Sequence, residues 1–469
     1  MSFTDEQIRA IVRETVSKLM DDGTAYRNAQ RNWLCDDAND AVEAAKEAQK
    51  ELVKLSLEHR GRLIAAMRTA ALENAEYLAE LAHNETGYGK VADKILKNKL
   101  AAEKTPGIED LHAQAFTGDY GMTLVEGAPF GVIGSITPST NPTSTVINNS
   151  ISMISAGNAV VFNPHPAATN ASQEAMRILN EAIVAAGGPA TLITTVKKPS
   201  LESGKIIMEH KDIPILSVTG GEAVVAVAMK TGKKVVAAGP GNPPVIVDDT
   251  CILQKAAKDI VDGASFDNNV LCVAEKEVFV FSNIADALMS ELQKNGAFRV
   301  YGEDIEKIIR TVLIKKEDGK YVINRKFVGR DATYILKESG VSYTGDPRLV
   351  IAEVDKYHPF VTVEMLMPVL AIVRVADINE AITEAYRAEH NCKHSAMIHS
   401  TNVKNMSAAA KVMNTTIFVK NAPSYSGLGF NGEGYATLTI ATPTGEGLTS
   451  AKTFTRARRC VLHGDFRIC

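Results

Sequence analysis

The segment Phe266-Asp267-Asn268-Asn269-Val270-Leu271-Cys272 ends in a lone cysteine, and the apolar run Glu277-Val278-Phe279-Val280-Phe281 follows closely. Loops at helix–strand junctions are where α/β enzymes tend to hold a nucleophile. A thiolate placed there can attack a carbonyl carbon and form a thiohemiacetal. That chemistry needs a donor for the developing oxyanion, and Asn141 is a candidate. The stretch Gly131-Val132-Ile133-Gly134-Ser135-Ile136 reads as a strand that breaks at Thr137-Pro138, and the turn beyond it presents Asn141. A side-chain amide there can donate a hydrogen bond. Standing alone, an Asn between Thr140 and Pro142 is an ordinary turn residue.

Two further stretches suit a nucleotide. Ala159-Val160-Val161-Phe162 reads as a buried strand broken at Asn163-Pro164-His165-Pro166. At the carboxyl end of a parallel strand such a loop meets nucleotides, although it also reads as a plain strand exit. Ser217-Val218-Thr219-Gly220-Gly221 runs from a strand into a helix start, where backbone amides can meet a pyrophosphate. It lacks the Gly-x-Gly-x-x-Gly pattern and is weak by itself. Glu364, in Glu364-Met365-Leu366-Met367-Pro368, precedes another apolar strand, a place where a carboxylate is usually solvated.

The elements that must position these residues alternate. Apolar β-like runs fall at 131–136, 159–162, 191–196, 213–218, 234–237, 245–248, 276–281, 369–375, 396–399 and 417–420. Helical patterns fall at 37–57, 59–83, 91–104, 168–186, 221–231, 253–263, 284–294, 302–313, 377–387 and 402–413. This alternation predicts an α/β fold with parallel sheets covered by helices on both faces. The breaker Gly239-Pro240-Gly241-Asn242-Pro243-Pro244 divides it into two blocks near residue 240. Residues 4–20 stand apart. Thr4 and Gln7 form a capping-box pattern, Phe3 can staple onto Ile8, and Ile8, Ile11, Val12, Val16 and Leu19 make one apolar stripe. A helix this short is marginal in water and needs something to dock on, either its own domain or a partner protein.

The chain has 469 residues, which favours two or three domains. Its 45% apolar and 23% charged residues argue against disorder. A net charge of -4 without a basic stripe gives no reason to expect nucleic acid. The six cysteines are scattered without Cys-x-x-Cys spacing, so neither zinc nor a disulfide framework is expected and a reducing, cytoplasmic location is favoured. No apolar run approaches the roughly 18 residues of a membrane span, and the N-terminus lacks a secretory pattern.

Taken in this order, the stretches around Asn141, Asn163, Thr219, Cys272 and Glu364 resemble the aldehyde dehydrogenase superfamily over roughly residues 37–469. The likeness is to its CoA-acylating branch, including the propionaldehyde and acetaldehyde dehydrogenases of bacterial microcompartments. The run Thr442-Pro443-Thr444-Gly445-Glu446-Gly447 and Arg456-Ala457-Arg458-Arg459-Cys460 look like that branch as well. The resemblance implies a Rossmann-type NAD-binding domain (37–239), a second α/β catalytic domain (240–440), and a final stretch (441–469) that returns to the first domain. It also implies a β oligomerisation arm near 117–126 and 459–465, and a dimer or tetramer. Residues 1–22 are then an encapsulation-type helix that docks on a microcompartment shell protein, and 23–36 a linker. Cys272 matches the catalytic thiol and Asn141 the oxyanion amide. Cofactor contacts fall to Thr137, Pro138, Asn163, His165, Thr219, Gly220, Glu364 and Leu366, with Glu364 holding the nicotinamide ribose. His165 and His394 can meet a CoA phosphate or the thiol, or be hydrogen-bonded structural histidines.

The departures from the family pattern are informative. Hydrolytic members carry Glu-Leu-Gly-Gly-Lys before Asn-Pro, whereas this chain has Ala237-Ala238-Gly239-Pro240-Gly241 before Asn242-Pro243. Ala237 thus replaces the base that activates water, and water without a base is a weak nucleophile. A thiol with a pKa near 8.5 supplies about a few per cent thiolate unaided. The expected reaction is therefore oxidation of a short aldehyde by NAD, through an acyl-cysteine that coenzyme A removes. Propanal, acetaldehyde and lactaldehyde all remain open as substrates. The lysine that follows the 159–162 strand in hydrolytic members is Asn163 here, which implies a differently shaped adenosine pocket. The rival readings are a hydrolytic enzyme that releases free acid, against which Ala237 speaks, and a non-catalytic shell adaptor, against which the whole set of site residues speaks.

Overall fold

A computed structural model describes residues 33–466. Its first sheet has six parallel strands, in the spatial order Leu34–Cys35, Ile193–Val196, Ala159–Pro164, Val132–Thr137, Ile215–Thr219 and Lys234–Ala238. These strands are short apolar runs because both faces are covered: Val160, Val161 and Phe162 are wholly buried. The chain winds outward from Val132–Thr137 in one direction, then returns to lay Ile215–Thr219 on the other side. The winding sense reverses between those two strands, so their carboxyl ends, Thr137 and Thr219, border a crevice suited to a ligand.

The second sheet has seven parallel strands, in the order Ala297–Val300, Leu349–Glu353, Val369–Val375, Glu277–Phe281, Pro244–Val247, Ser395–His399 and Ile417–Lys420. The first sheet draws its strands from 34–238 and the second from 244–420. The connection between them is the Gly/Pro-rich breaker. Asn242 fixes that crossing: its buried amide donates to the carbonyls of Val361 and Ala388, each at 2.9 Å. A third sheet, antiparallel, joins Gln114–Gly118, Gly121–Pro129 and Thr455–His463. It exposes Phe116, Val461 and Leu462. No helix among the described residues is long and apolar enough to cross a membrane.

Several elements differ from the sequence reading. The stretch read as a linker, 23–36, closes with a buried Trp33 and the edge strand Leu34–Cys35, so its last residues belong to the first sheet. The helical pattern at 59–83 is two helices, Leu57–Glu73 and Ala75–Thr86, separated at Asn74. The helix Pro142–Ser155 was not expected, its Val146, Ile147, Ile151, Met153 and Ile154 being interspersed with Ser, Thr and Asn. It is buried all round, and its polar side chains bond inward: Thr143 to Asn98 at 2.8 Å, Asn148 to Thr105 at 2.8 Å, and Asn149 to Ser135 at 3.2 Å. The strands at 297–300 and 349–353 were likewise not expected. The 4–20 helix lies outside the described residues.

Replacing Asn242 with Ala leaves two buried carbonyls without donors, a loss of about 2–4 kcal/mol from the desolvation of unpaired groups. The Asn242→Ala protein is expected to melt several degrees below the parent in differential scanning fluorimetry. An unchanged midpoint would show that the amide does not hold the crossing.

Candidate active site

The turn that leads to Cys272 is built from residues that tolerate a left-handed backbone. Asp267, Asn268 and Asn269 have φ of 46°, 53° and 65°. Asp and Asn visit this region more readily than other L-residues, yet three in succession store strain. The turn is held by many partners. Asp267 accepts from the Lys90 N–H at 2.8 Å, from Lys94 Nζ at 3.2 Å and from Lys97 Nζ, while its own N–H donates to Asp93 at 2.7 Å. A Cβ on Gly89 would collide with the Asp267 carboxylate, so only glycine fits there. Asn268 donates to the Gly329 carbonyl at 3.0 Å and to Asp331 at 2.8 Å. The Asn269 amide donates to the carbonyls of Ala264 and Glu275 at 2.8 and 2.9 Å. Lys276 returns to the loop from the other side, donating to the carbonyls of Asn269 and Leu271 at 3.0 and 3.2 Å and to Asn269 Oδ1.

Cys272 is partly exposed at the end of this turn. Burial of its sulfur and then the neighbouring Glu364 push the thiol up to about 12, against the pull of Lys276 and Lys97. Glu364 is raised to about 7 by burial, opposed by Lys276 and by a hydrogen bond from the Gly241 N–H. Leu366 follows with φ of 48°, and its carbonyl accepts from the Gly329 N–H at 2.9 Å.

His394 is fully buried. Its N–H donates to Glu389 at 2.7 Å and its Nδ1 bonds to Ser395 Oγ at 2.9 Å, while Nε2 has no partner. Burial and then Lys276 lower it to about 4, so it is neutral at pH 7. Gly241 separates His394 from the nucleophile. A Cβ there would lie 2.9 Å from His394 Cγ and 3.0 Å from the Cys272 carbonyl oxygen. The structure thus brings His394, Cys272, Glu364 and Gly241 together.

Asn141 caps the helix Pro142–Ser155 at the end of the loop after Thr137. Its Oδ1 accepts from Lys97 Nζ at 2.6 Å and its Nδ2 donates to Thr140 Oγ1 at 3.2 Å. Thr137 is buried with its hydroxyl unpartnered, Pro138 is half-buried beside it, and Thr219 and Gly220 lie across the crevice. Thr219 Oγ1 is 3.2 Å from Thr439 Oγ1, and the Gly220 N–H reaches the Ala238 carbonyl at 3.3 Å. Ala237 is wholly buried, and its N–H donates to Thr444 Oγ1 at 3.0 Å.

Two of the expected cofactor contacts also have partners within the fold. Asn163 is engaged within the fold: it accepts from Ser203 Oγ at 2.7 Å and donates to the Ser200 carbonyl at 3.2 Å, fixing the start of the helix Leu201–Glu209. His165 is exposed and accepts from the Ala167 N–H at 3.1 Å, capping its own short turn. The sequence reading missed Lys97 and Lys276. A signal was present for Lys97: in the helix Val91–Lys104, Lys94 and Lys97 fall on the same face as the buried Leu100 and Ala101. Lysine on a buried face needs a carboxylate partner.

A model of the aldehyde dehydrogenase family matches residues 30–435. The chain belongs to the aldehyde dehydrogenase family. It is 47% identical over 469 residues to an acetylating acetaldehyde dehydrogenase of Salmonella typhimurium, covering 99% of this chain and 100% of that one. Its structure is similar to a propionaldehyde dehydrogenase from the fucose-utilisation microcompartment of Clostridium phytofermentans, with a TM-score of 0.91 at 48% identity, covering 93% of this chain and 100% of that one. It is also similar to the Rhodopseudomonas palustris propionaldehyde dehydrogenase solved with bound CoA and an acylated cysteine, with a TM-score of 0.90 at 46% identity, covering 92% of this chain and 98% of that one.

The raised thiol carries a prediction. In the protein without ligands, alkylation of Cys272 by iodoacetamide, followed by peptide mass spectrometry, should keep accelerating above pH 9. Glu364→Gln removes a negative neighbour, so the same profile should shift to lower pH. A plateau below pH 9 in the parent protein would contradict the geometry.

Proposed function

We propose that this protein is a CoA-acylating aldehyde dehydrogenase that oxidises a short-chain aldehyde with NAD and hands the acyl group from Cys272 to coenzyme A. One arrangement carries the reading: a buried lysine joins the Asn141 amide to Asp267 on the turn that leads to Cys272, and the position of the water-activating base holds Ala237. The similar Rhodopseudomonas palustris enzyme, with CoA and an acylated cysteine, supports it.

The chain's own groups account for each step. Cys272 Sγ bonds to the aldehyde carbon, and the thiol proton passes to solvent at the partly exposed side of Cys272. The oxygen becomes an alkoxide that accepts from Asn141 Nδ2–H and the Cys272 N–H. The crevice residues suit a nicotinamide nucleotide, since Thr137 offers a buried unpartnered hydroxyl and Glu364 a carboxylate for ribose. When bound, that cofactor accepts the hydride. The resulting thioester meets no base at Ala237, so water attacks it poorly. The CoA thiol takes the acyl group instead, and the Cys272 sulfur leaves. Because the nucleophile is regenerated only in the second half of the cycle, the kinetics are ping-pong.

The exposed apolar ribbon of the antiparallel sheet suits association with another copy, giving a dimer or tetramer. The apolar stripe of residues 4–20 suits docking on a shell protein, in keeping with the microcompartment origin of the similar Clostridium phytofermentans enzyme.

With propanal and NAD, NADH is expected to accumulate catalytically only when CoA is present. Cys272→Ala should abolish turnover and the acyl adduct in intact-mass spectra. Sustained NADH with free acid and no CoA would establish hydrolysis instead. Deleting residues 1–22 should leave turnover intact while abolishing co-purification with shells. Lost turnover in that variant would place the segment in the fold.

A further inference from the structure

We infer that Lys97 is a positioning residue for the oxyanion step, locking the Asn141 amide so that its N–H side faces the reacting carbonyl. The inference rests on the proposed acyl transfer and on Asn141 as its donor. Lys97 is 2% exposed, and its ammonium lies 2.6 Å from Asn141 Oδ1. An ammonium has donors and no acceptor, so the amide atom beside it must be oxygen. Nδ2 is therefore turned away from Lys97. A flipped amide would set NH2 against the ammonium and present its oxygen to the oxyanion, where two negative ends repel. Donation into Oδ1 also polarises the amide and strengthens its N–H as a donor.

The same ammonium pairs with Asp267, on the left-handed turn before Cys272. Asn141 follows a first-sheet strand and Cys272 precedes a second-sheet strand. One buried cation therefore sets the amide and the nucleophile relative to each other. Lys94 shares the Asp267 carboxylate at 3.2 Å, so the turn keeps a cation when Lys97 is replaced.

The test is a double-variant cycle on kcat/KM for CoA-dependent NADH formation from propanal. Asn141→Ala is expected to lose on the order of a hundredfold, as for removal of one oxyanion donor, and Lys97→Met on the order of tenfold or more. Adding Lys97→Met to Asn141→Ala should cost no further activity, because the lysine acts through the amide. Alkylation of Cys272 by iodoacetamide needs no oxyanion donor and should change far less than turnover. Should Lys97→Met fold poorly, Lys97→Gln, with Asp267 still paired to Lys94, should likewise cost no further activity when added to Asn141→Ala. Additive losses in the cycle, or wild-type turnover in Lys97→Met, would overturn the inference. Full activity in Asn141→Ala would overturn it through the amide while leaving acyl transfer standing. A parent protein that forms no acyl-CoA would remove the function itself, and this inference with it.

Discussion

The active-site turn places three consecutive non-glycine residues in the left-handed region, and the rest of the site depends on keeping them there. Each such residue costs about 1–2 kcal/mol relative to its relaxed backbone. The strain persists because surrounding groups over-determine the turn. Asp267 is held by two buried lysines and a backbone N–H, Asn268 by a carbonyl and a carboxylate, and Asn269 by two carbonyls and Lys276. The lysines gain from the arrangement as well. A buried ammonium is expensive to desolvate unless it is paired and hydrogen-bonded, and the turn supplies both pairing and acceptors. The ion pairs and hydrogen bonds across one contact surface thus offset both the strain and the desolvation.

That surface joins sheets that meet in opposite senses. The first sheet offers the carboxyl ends of its strands, Thr137 and Thr219, where helix starts and loops suit phosphate and ribose. The second sheet offers amino ends: Cys272, Glu364 and His394 all lie shortly before strands, at 277, 369 and 395. The crossing segment carries Gly241 and Asn242 into this junction. Gly241 is small enough to let His394 approach the Cys272 backbone, and Asn242 pins the segment to two carbonyls. A side chain at 241 would push the histidine and the nucleophile apart.

The parallel strands were legible because burial on both faces leaves them as unbroken apolar runs between breakers. The same reasoning located Cys272, Asn141, Thr219 and Glu364 at strand or helix boundaries, where the structure places them. What escaped had a physical cause in each case. The helix Pro142–Ser155 is buried all round, with Val146, Ile147, Ile151, Met153 and Ile154 in the core and polar side chains bonded inward on its other faces, so no solvated face marks its period. The bonds of Asn163 to Ser200 and Ser203 are tertiary contacts that no local pattern encodes. Lys97 and Lys276 reach acceptors far from where a charged residue is expected, because their partners are assembled only when the turn folds.

The electrostatics of the site imply an order of events. At neutral pH the thiol is protonated, His394 is neutral, and Glu364 is divided between its two forms. The largest obstacle to the thiolate is burial, and the second is the charge of Glu364. An oxidised nicotinamide cofactor held at Glu364 would bring positive charge against the second and lower the cost of a buried thiolate. On the proposed reading the nucleophile is therefore quiet until the oxidised cofactor is in place, and a free aldehyde meets an unreactive thiol. A reduced cofactor would no longer give that support. The Cys272 sulfur then leaves best as a thiol rather than a thiolate, which calls for a proton at the moment CoA attacks. The incoming CoA thiol carries that proton, which moves to the Cys272 sulfur as the acyl group is transferred.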